Sequence, residues 1–105
     1  MTIYEYRGTL TTASASASST TLRVRGGLLR QVLVRALTSS ATVFRVNLVD
    51  ENSVTRLNYA YHTGEINDVG GTSQALPMPI AGTYTVNITN ASPDDTFAVV
   101  LGVQE

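Results

Sequence analysis

Hydrophobic and polar residues alternate with a period of two along most of this chain, most cleanly in its last quarter. From Thr83 to Thr89, Tyr84, Val86 and Ile88 share one side, with Thr83, Thr85, Asn87 and Thr89 on the other. After a polar stretch, Asn90 to Asp95, the segment Thr96 to Val103 repeats the pattern with Phe97, Val99, Leu101 and Val103. Strand side chains alternate between faces, so two strands sharing a buried face are predicted, entered through an Ala81–Gly82 turn. The outward positions of the last strand, Ala98, Val100 and Gly102, are apolar too, and such a strand needs cover on both sides. Either the Leu28 to Leu37 element or another subunit is expected to lie across it.

The same period predicts strands upstream. Thr2 to Leu10 places Tyr4, Tyr6, Gly8 and Leu10 on one face, and an N-terminal strand of this kind is expected at a sheet edge. Thr11 to Thr20 is a small-residue tract without a bulky anchor, read as a mobile loop or arm. Thr20 to Arg25 turns Leu22 and Val24 inward and Arg23 and Arg25 outward, and Gly26–Gly27 is expected to break it. Leu28 to Leu37 admits two readings. Leu28, Leu29, Val32, Leu33, Ala36 and Leu37 fall at helical spacing. A strand bulged near Arg30 fits better, because it also accounts for Val34 and for the close turn signals. Thr42 to Val49 and Val54 to Tyr61 read as a hairpin around Asp50-Glu51-Asn52-Ser53, with Leu57, Tyr59 and Tyr61 on one face. His62 to Ser73 reads as a polar loop. Leu76, Met78 and Ile80 alternate with Pro77 and Pro79, which restricts that strand to an edge or a short run.

Short strands with turn signals every eight to twelve residues define an all-β chain. The expected architecture is an antiparallel two-sheet β-sandwich, jelly-roll-like, of seven or eight strands. It forms one domain over residues 1–105, with the flexible arm at 11–20. The predicted core comprises Leu22, Val24, Phe44, Val46, Leu48, Tyr84, Val86, Ile88, Phe97, Val99 and Leu101.

Composition narrows the function. Of 105 residues, 43% are hydrophobic and 14% charged, well under the roughly 25% of an average globular protein. Two accounts fit: a surface partly covered by another chain, or one solvated by hydroxyls and amides. Seven basic residues, all arginine, against eight acids give a net charge of −1, so neither nucleic acid nor an anionic membrane is an expected partner. Without lysine, Schiff-base chemistry is excluded. Without cysteine, disulfides, thiol catalysis and zinc–thiolate sites are excluded too. The opening Met1-Thr2-Ile3-Tyr4-Glu5 lacks the basic and apolar regions of a signal peptide, and a soluble chain made in the cytoplasm is expected.

No constellation specifies catalysis. His62 is the only histidine and no Gly-x-Ser-x-Gly elbow occurs, so His62 is read as a local hydrogen-bonding residue and the catalytic set as none. Asp50-Glu51-Asn52 and Asp94-Asp95 are oxygen-rich, but lack EF-hand spacing and read as turns, so neither a metal nor a cofactor is expected. Asn87-Ile88-Thr89 and Asn90-Ala91-Ser92 match the glycosylation pattern by coincidence. Tyr59 and Tyr61 on one face offer a sugar-stacking platform, or simply core.

Two stretches carry a family likeness: Gly27-Leu28-Leu29-Arg30-Gln31-Val32-Leu33-Val34-Arg35, and Ala81-Gly82-Thr83-Tyr84-Thr85-Val86-Asn87-Ile88 through Phe97-Ala98-Val99-Val100-Leu101. In these the chain resembles the small β-sandwich virion proteins of tailed bacteriophages, such as capsid decoration (cement) and fibre-associated modules. It resembles bacterial pre-peptidase C-terminal domains less closely. The first resemblance implies a non-enzymatic virion protein made in the host cytoplasm, most simply a capsid decoration protein. It would form a homo-oligomer, with a trimer as the expected form, and bind a major capsid protein. Its interface candidates are Tyr4, Tyr6 and Arg7 on the predicted edge, with Arg23 and Arg25. The alternative is a carbohydrate- or receptor-binding module of a tail fibre or secreted protein.

Overall fold

In the computed structural model, residues 3–12, 18–39, 41–70, 76–89 and 95–104 are described. Seven strands follow in order: β1 (Ile3–Thr11), β2 (Ser18–Ala36), β3 (Val43–Val49), β4 (Thr55–Thr63), β5 (Glu65–Val69), β6 (Met78–Thr89) and β7 (Thr96–Gln104). All pair antiparallel. The fold is an all-β, antiparallel β-sandwich, and the Leu28 to Leu37 segment is strand, not helix.

The two layers share one strand. The first half of β2 pairs with β6, which continues to β3 and β4. Its second half pairs with β7 on one side and β5 on the other, and β7 carries β1 at the far edge. Thus β4-β3-β6-β2 forms one layer and β1-β7-β2-β5 the other. The passage between them occurs at Gly26 and Gly27, with φ of 130° and 147°, and a register shift separates Val24 from Gly27. Only glycine adopts such angles without strain. The expected break at this pair is therefore corrected: the glycines bend a continuous 19-residue strand without ending it. The bulge predicted near Arg30 is present, as a second shift between Leu29 and Gln31.

The core lies between the layers. All eleven predicted core residues are buried, joined by Leu29, Val32, Val34, Ile66 and Val103. Phe44 of β3 and Phe97 of β7 meet edge-to-face across the layers, with ring centroids 4.9 Å apart. Each such buried side chain contributes on the order of 1.5–3 kcal/mol of transfer free energy.

Other expectations change. The His62 to Ser73 loop holds the end of β4 and all of β5, whose single buried apolar residue, Ile66, gives too weak a period to read. Ala81–Gly82 is not a turn: β6 runs through it, with Gly82 at φ 99° opposite Val24, beside the bend in β2. The proline-bearing start of β6 pairs on one side only, with β2, as an edge should. The arm expected over 11–20 overlaps two strands, since Thr11 closes β1 and Ser18 to Thr20 open β2; residues 13–17 lie outside the described residues.

Candidate assembly interface

Every strand residue has a known face, so the surfaces can be built row by row. On the outer side of the β1-β7-β2-β5 layer, Arg7, Val100, Leu33 and Asn67 form one row. Glu5, Gly102, Gln31 and Val69 form the next. Val100 is only 8% exposed although no strand among the described residues lies over it. The Leu28 to Leu37 segment pairs beside β7, in the same layer, and does not lie across it. Between β1 and β7 this face holds a shallow depression of about 260 Å³ lined by Arg7, Gly8, Thr9, Ala98, Val99 and Val100.

The interface candidates fall into two groups. Tyr4, Tyr6 and Arg7 lie on β1, which has β7 on one side and no paired strand on the other among the described residues. Tyr4 is 44% exposed, and Arg7 forms an exposed ion pair with Glu5 two residues before it. Arg25 joins this edge, because its backbone N–H donates to the Tyr6 hydroxyl at 3.2 Å. The side chain of Arg23 projects from the opposite layer, on the face of its register partner Thr83. Glu5 and Gly8 of the same edge were missed as candidates. The alternation Glu5-x-Arg7 was the signal available.

The other edges are interrupted or shorter. β4 carries two register shifts against β3, β5 is five residues long, and the edge portion of β6 contains Pro79. The edge half of β2 is regular from Ser18 to Val24 but shorter than β1, and it ends where the Arg25 N–H is taken by Tyr6 and the glycine bend begins. β1 has no proline, and all nine of its residues pair with β7 without a shift. Bulges, brevity and proline are the devices that stop a sheet edge from pairing. β1 has none of them.

Elsewhere the candidate chemistry resolves into local structure. Asp50 Oδ1 accepts from the N–H groups of Asn52 (2.9 Å) and Val54 (3.0 Å), and Oδ2 accepts from Arg56 Nε at 2.8 Å. The Val54 N–H is the main cause that holds this carboxyl below its ordinary value, with Arg56 and Asn52 adding to it. This is an Asx turn closing the β3–β4 hairpin. Asp94 lies outside the described residues, and Asp95 is buried with its N–H donating to Thr12 Oγ1 at 3.0 Å. No cluster of three or more metal-ligating side chains occurs among the described residues. His62 Nδ1 lies 2.7 Å from the carbonyl oxygen of Ala60 on its own strand, as a locally bonded residue would.

The tyrosine platform is also corrected. Between register pairs Phe44–His62 and Val46–Tyr59, β3 has one intervening residue and β4 has two. That bulge changes the alternation and sends Tyr59 and Tyr61 to different sides. Tyr59 packs against the core and donates to Asp68 Oδ2 at 2.6 Å. Burial, then Asp68, drives its hydroxyl pKa well above the usual tyrosine value. Tyr61 is exposed, with the Arg45 guanidinium 5.1 Å from its ring centroid.

No family model matches the chain, and no curated protein matches its sequence. Among solved structures it is similar to the C-terminal domain of A223, a structural protein from Sulfolobus turreted icosahedral virus. That match has 19% identity and a TM-score of 0.46, over 99% of this chain and 100% of that one. It is also similar to the Drosophila NLP core, whose structure concerns pentamer formation and histone binding. That match has 13% identity and a TM-score of 0.47, over 94% of this chain and 99% of that one.

Proposed function

We propose that this chain is a non-enzymatic structural protein of a virion, and specifically a bacteriophage capsid decoration protein. It acts by associating with itself and with a major capsid protein, and it resides in the virion after synthesis in the host cytoplasm. The observation that carries the reading is the uninterrupted β1 edge, unpaired among the described residues, with Ile3 and Tyr4 exposed on it. Such an edge is a template for another chain, and natural proteins leave one open where pairing is useful. Support also comes from the low charge density, which suits a surface covered in an assembly, and from the phage-virion likeness of the β2 and β6–β7 sequences.

The mechanism is mechanical. Contacts through the edge add buried area between shell subunits and so raise the work needed to separate them. The test is co-sedimentation of the purified chain with phage shells lacking their decoration protein. Saturable binding at fixed stoichiometry, with shells that then resist heat better, is expected. No binding at concentrations well above those in an infected cell would overturn the reading. The carbohydrate-binding alternative has less support, because Tyr59 packs against the core, bonds Asp68 and does not share a face with the exposed Tyr61.

A further inference from the structure

The β1 edge specifies more than stickiness. Two copies that pair antiparallel about a twofold axis normal to the sheet must place one residue of β1 opposite itself. Only a few registers are then available, and the sequence of β1 discriminates among them. An axis through Glu5 or Arg7 sets like charges face to face. An axis through Gly8 sets Arg7 opposite Thr9 and Glu5 opposite Thr11, leaving both charges without a counterion across the junction. An axis through Tyr6 sets Glu5 of each copy opposite Arg7 of the other, forming two opposite-charge pairs. Directly opposed side chains on one face approach to about 5 Å, and opposite charges there are favourable where like charges are not.

The same register has a second consequence. It places Tyr4 opposite Gly8. Tyr4 is exposed at 44%, but the space over Gly8 is filled by Leu22 Cδ2 and Thr20 Oγ1 of its own chain, each 3.3 Å from where a Cβ would lie, so this pair is tolerated in the register without selecting it. Tyr4 and Gly8 alternate with the charged pair and share the face of Tyr6. The charge order of the edge is therefore what selects the register.

We propose that this protein pairs with a second copy of itself through β1, antiparallel and centred on Tyr6, so that two four-stranded layers join into one continuous sheet. The inference rests on the self-association in the reading above and replaces the expected trimer with a twofold unit. In the free chain Glu5 and Arg7 pair with each other along the strand. In the pair they exchange partners across the junction, so charge complementarity selects the register at little cost. An edge-only contact falls below the size of standard interfaces, so the isolated pair is weak, with a dissociation constant of about 1 µM to 1 mM. Many copies held on one lattice would strengthen it through effective concentration.

The charge reversals use exposed positions that leave the core alone. Glu5→Arg and Arg7→Glu each turn both charge pairs repulsive and are expected to weaken pairing by about ten- to thirtyfold in sedimentation velocity. An equimolar mixture of the two variants restores two opposite-charge pairs in the heterodimer and is expected to pair like the wild type. Register is read separately. The chain has no cysteine, so Tyr6→Cys is expected to cross-link to itself under mild oxidation, whereas Thr9→Cys, two-thirds of the strand away from its own copy, is not. A wild-type chain that stays monomeric up to about 1 mM, single variants that pair as well as wild type, or a mixture that fails to recover would each overturn the proposal. Shell binding is a separate readout. Variants that no longer pair but still saturate phage shells leave the virion role standing, whereas chains that pair and bind no shell leave only the pairing.

Discussion

Gly27→Ala tests the bend on which both layers depend. A Cβ built on Gly27 lies 2.2 Å from the Gln104 carbonyl oxygen and 3.0 Å from its carbonyl carbon, both main-chain atoms of β7. The φ of 147° adds strain for any residue with a side chain. Holding a non-glycine residue at such an angle costs on the order of 1–3 kcal/mol. Forcing a methyl group against backbone that is already packed costs about 1–3 kcal/mol more. The sum, about 2–6 kcal/mol, is a large share of the roughly 5–15 kcal/mol that stabilises a small domain. It corresponds to a loss of about 10–30 °C in Tm. Gly26→Ala is the matched control. Its φ is 130°, but the nearest atom to an added Cβ is the Ala81 Cβ at 3.6 Å, an ordinary contact. It should lose only the backbone strain, about 1–3 kcal/mol. Urea unfolding followed by far-ultraviolet circular dichroism measures both, with unchanged m-values as the check on two-state behaviour. Equal losses from the two variants, or Gly27→Ala within about 0.5 kcal/mol of wild type, would refute the account of the bend.

Three further outcomes follow from the packing and polar contacts. Phe97→Ala, at a position with no exposed surface, is expected to cost about 3–5 kcal/mol in the same assay. A double-mutant cycle with Phe44→Ala should return about 0.5–1.5 kcal/mol of coupling for the edge-to-face pair. Tyr59→Phe removes the bond to Asp68 that ties β4 to β5 and should cost about 0.5–1.5 kcal/mol. Because the folded state raises the Tyr59 pKa, the associated stability is full below about pH 10 and falls as pH rises above it, a loss that Tyr59→Phe abolishes. Asp50 has the opposite sign: its folded pKa is depressed, so its contribution is present above the ordinary carboxylate pKa of 3.8 and is lost as pH falls through the folded value. Asp50→Ala should lower Tm at neutral pH and flatten that acid limb in a pH series of thermal melts.

The fold was legible where one face was buried and the ladder regular. β3, the second half of β6 and β7 satisfy both conditions, and their inward residues were all read correctly. The misreadings occur where backbone conformation, not side-chain pattern, decides the outcome. Gly26–Gly27 and Ala81–Gly82 carry the composition of turns, yet each glycine conformation is absorbed inside a strand because the two strands bend together, Val24 opposite Gly82 and Gly27 opposite Ile80. β5 buries one apolar side chain and is held by its register with β2 and by polar contacts, such as Gln31 to Asn67 at 3.0 Å, which leave no hydrophobic period. Tyr59 and Tyr61 were placed together because a bulge cannot be seen in a period-two pattern. The β1 edge was legible in outline from Tyr4, Tyr6 and Arg7. Its register content was not, because the meaning of Glu5 depends on knowing that the other side of β1 is unpaired among the described residues.

The apolar outer face of β7 remains the natural rival to the β1 edge as the site of self-association, and the geometry separates them. Ala98, Val100 and Gly102 occupy an interior strand with β1 and β2 alongside, and their neighbours are longer: Arg7 and Leu33 flank Val100 in its own row. The space beside Gly102 is already filled, with the Gln31 Cβ 3.2 Å and the Ile3 Cγ2 3.8 Å from where a side chain would begin. Cover therefore comes laterally from this chain, which explains why Val100 is 8% exposed with no strand among the described residues stacked on it. A face already sheltered gains little apolar burial from a second copy, whereas an open edge gains backbone hydrogen bonds that β1 makes nowhere else among the described residues. Leu33→Lys puts a charge near the centre of that outer face without touching β1. It should leave the dissociation constant of the pair within about threefold of wild type, under the conditions where Glu5→Arg weakens it tenfold or more. If Leu33→Lys abolishes association and Glu5→Arg does not, the face is the interface and the edge is not.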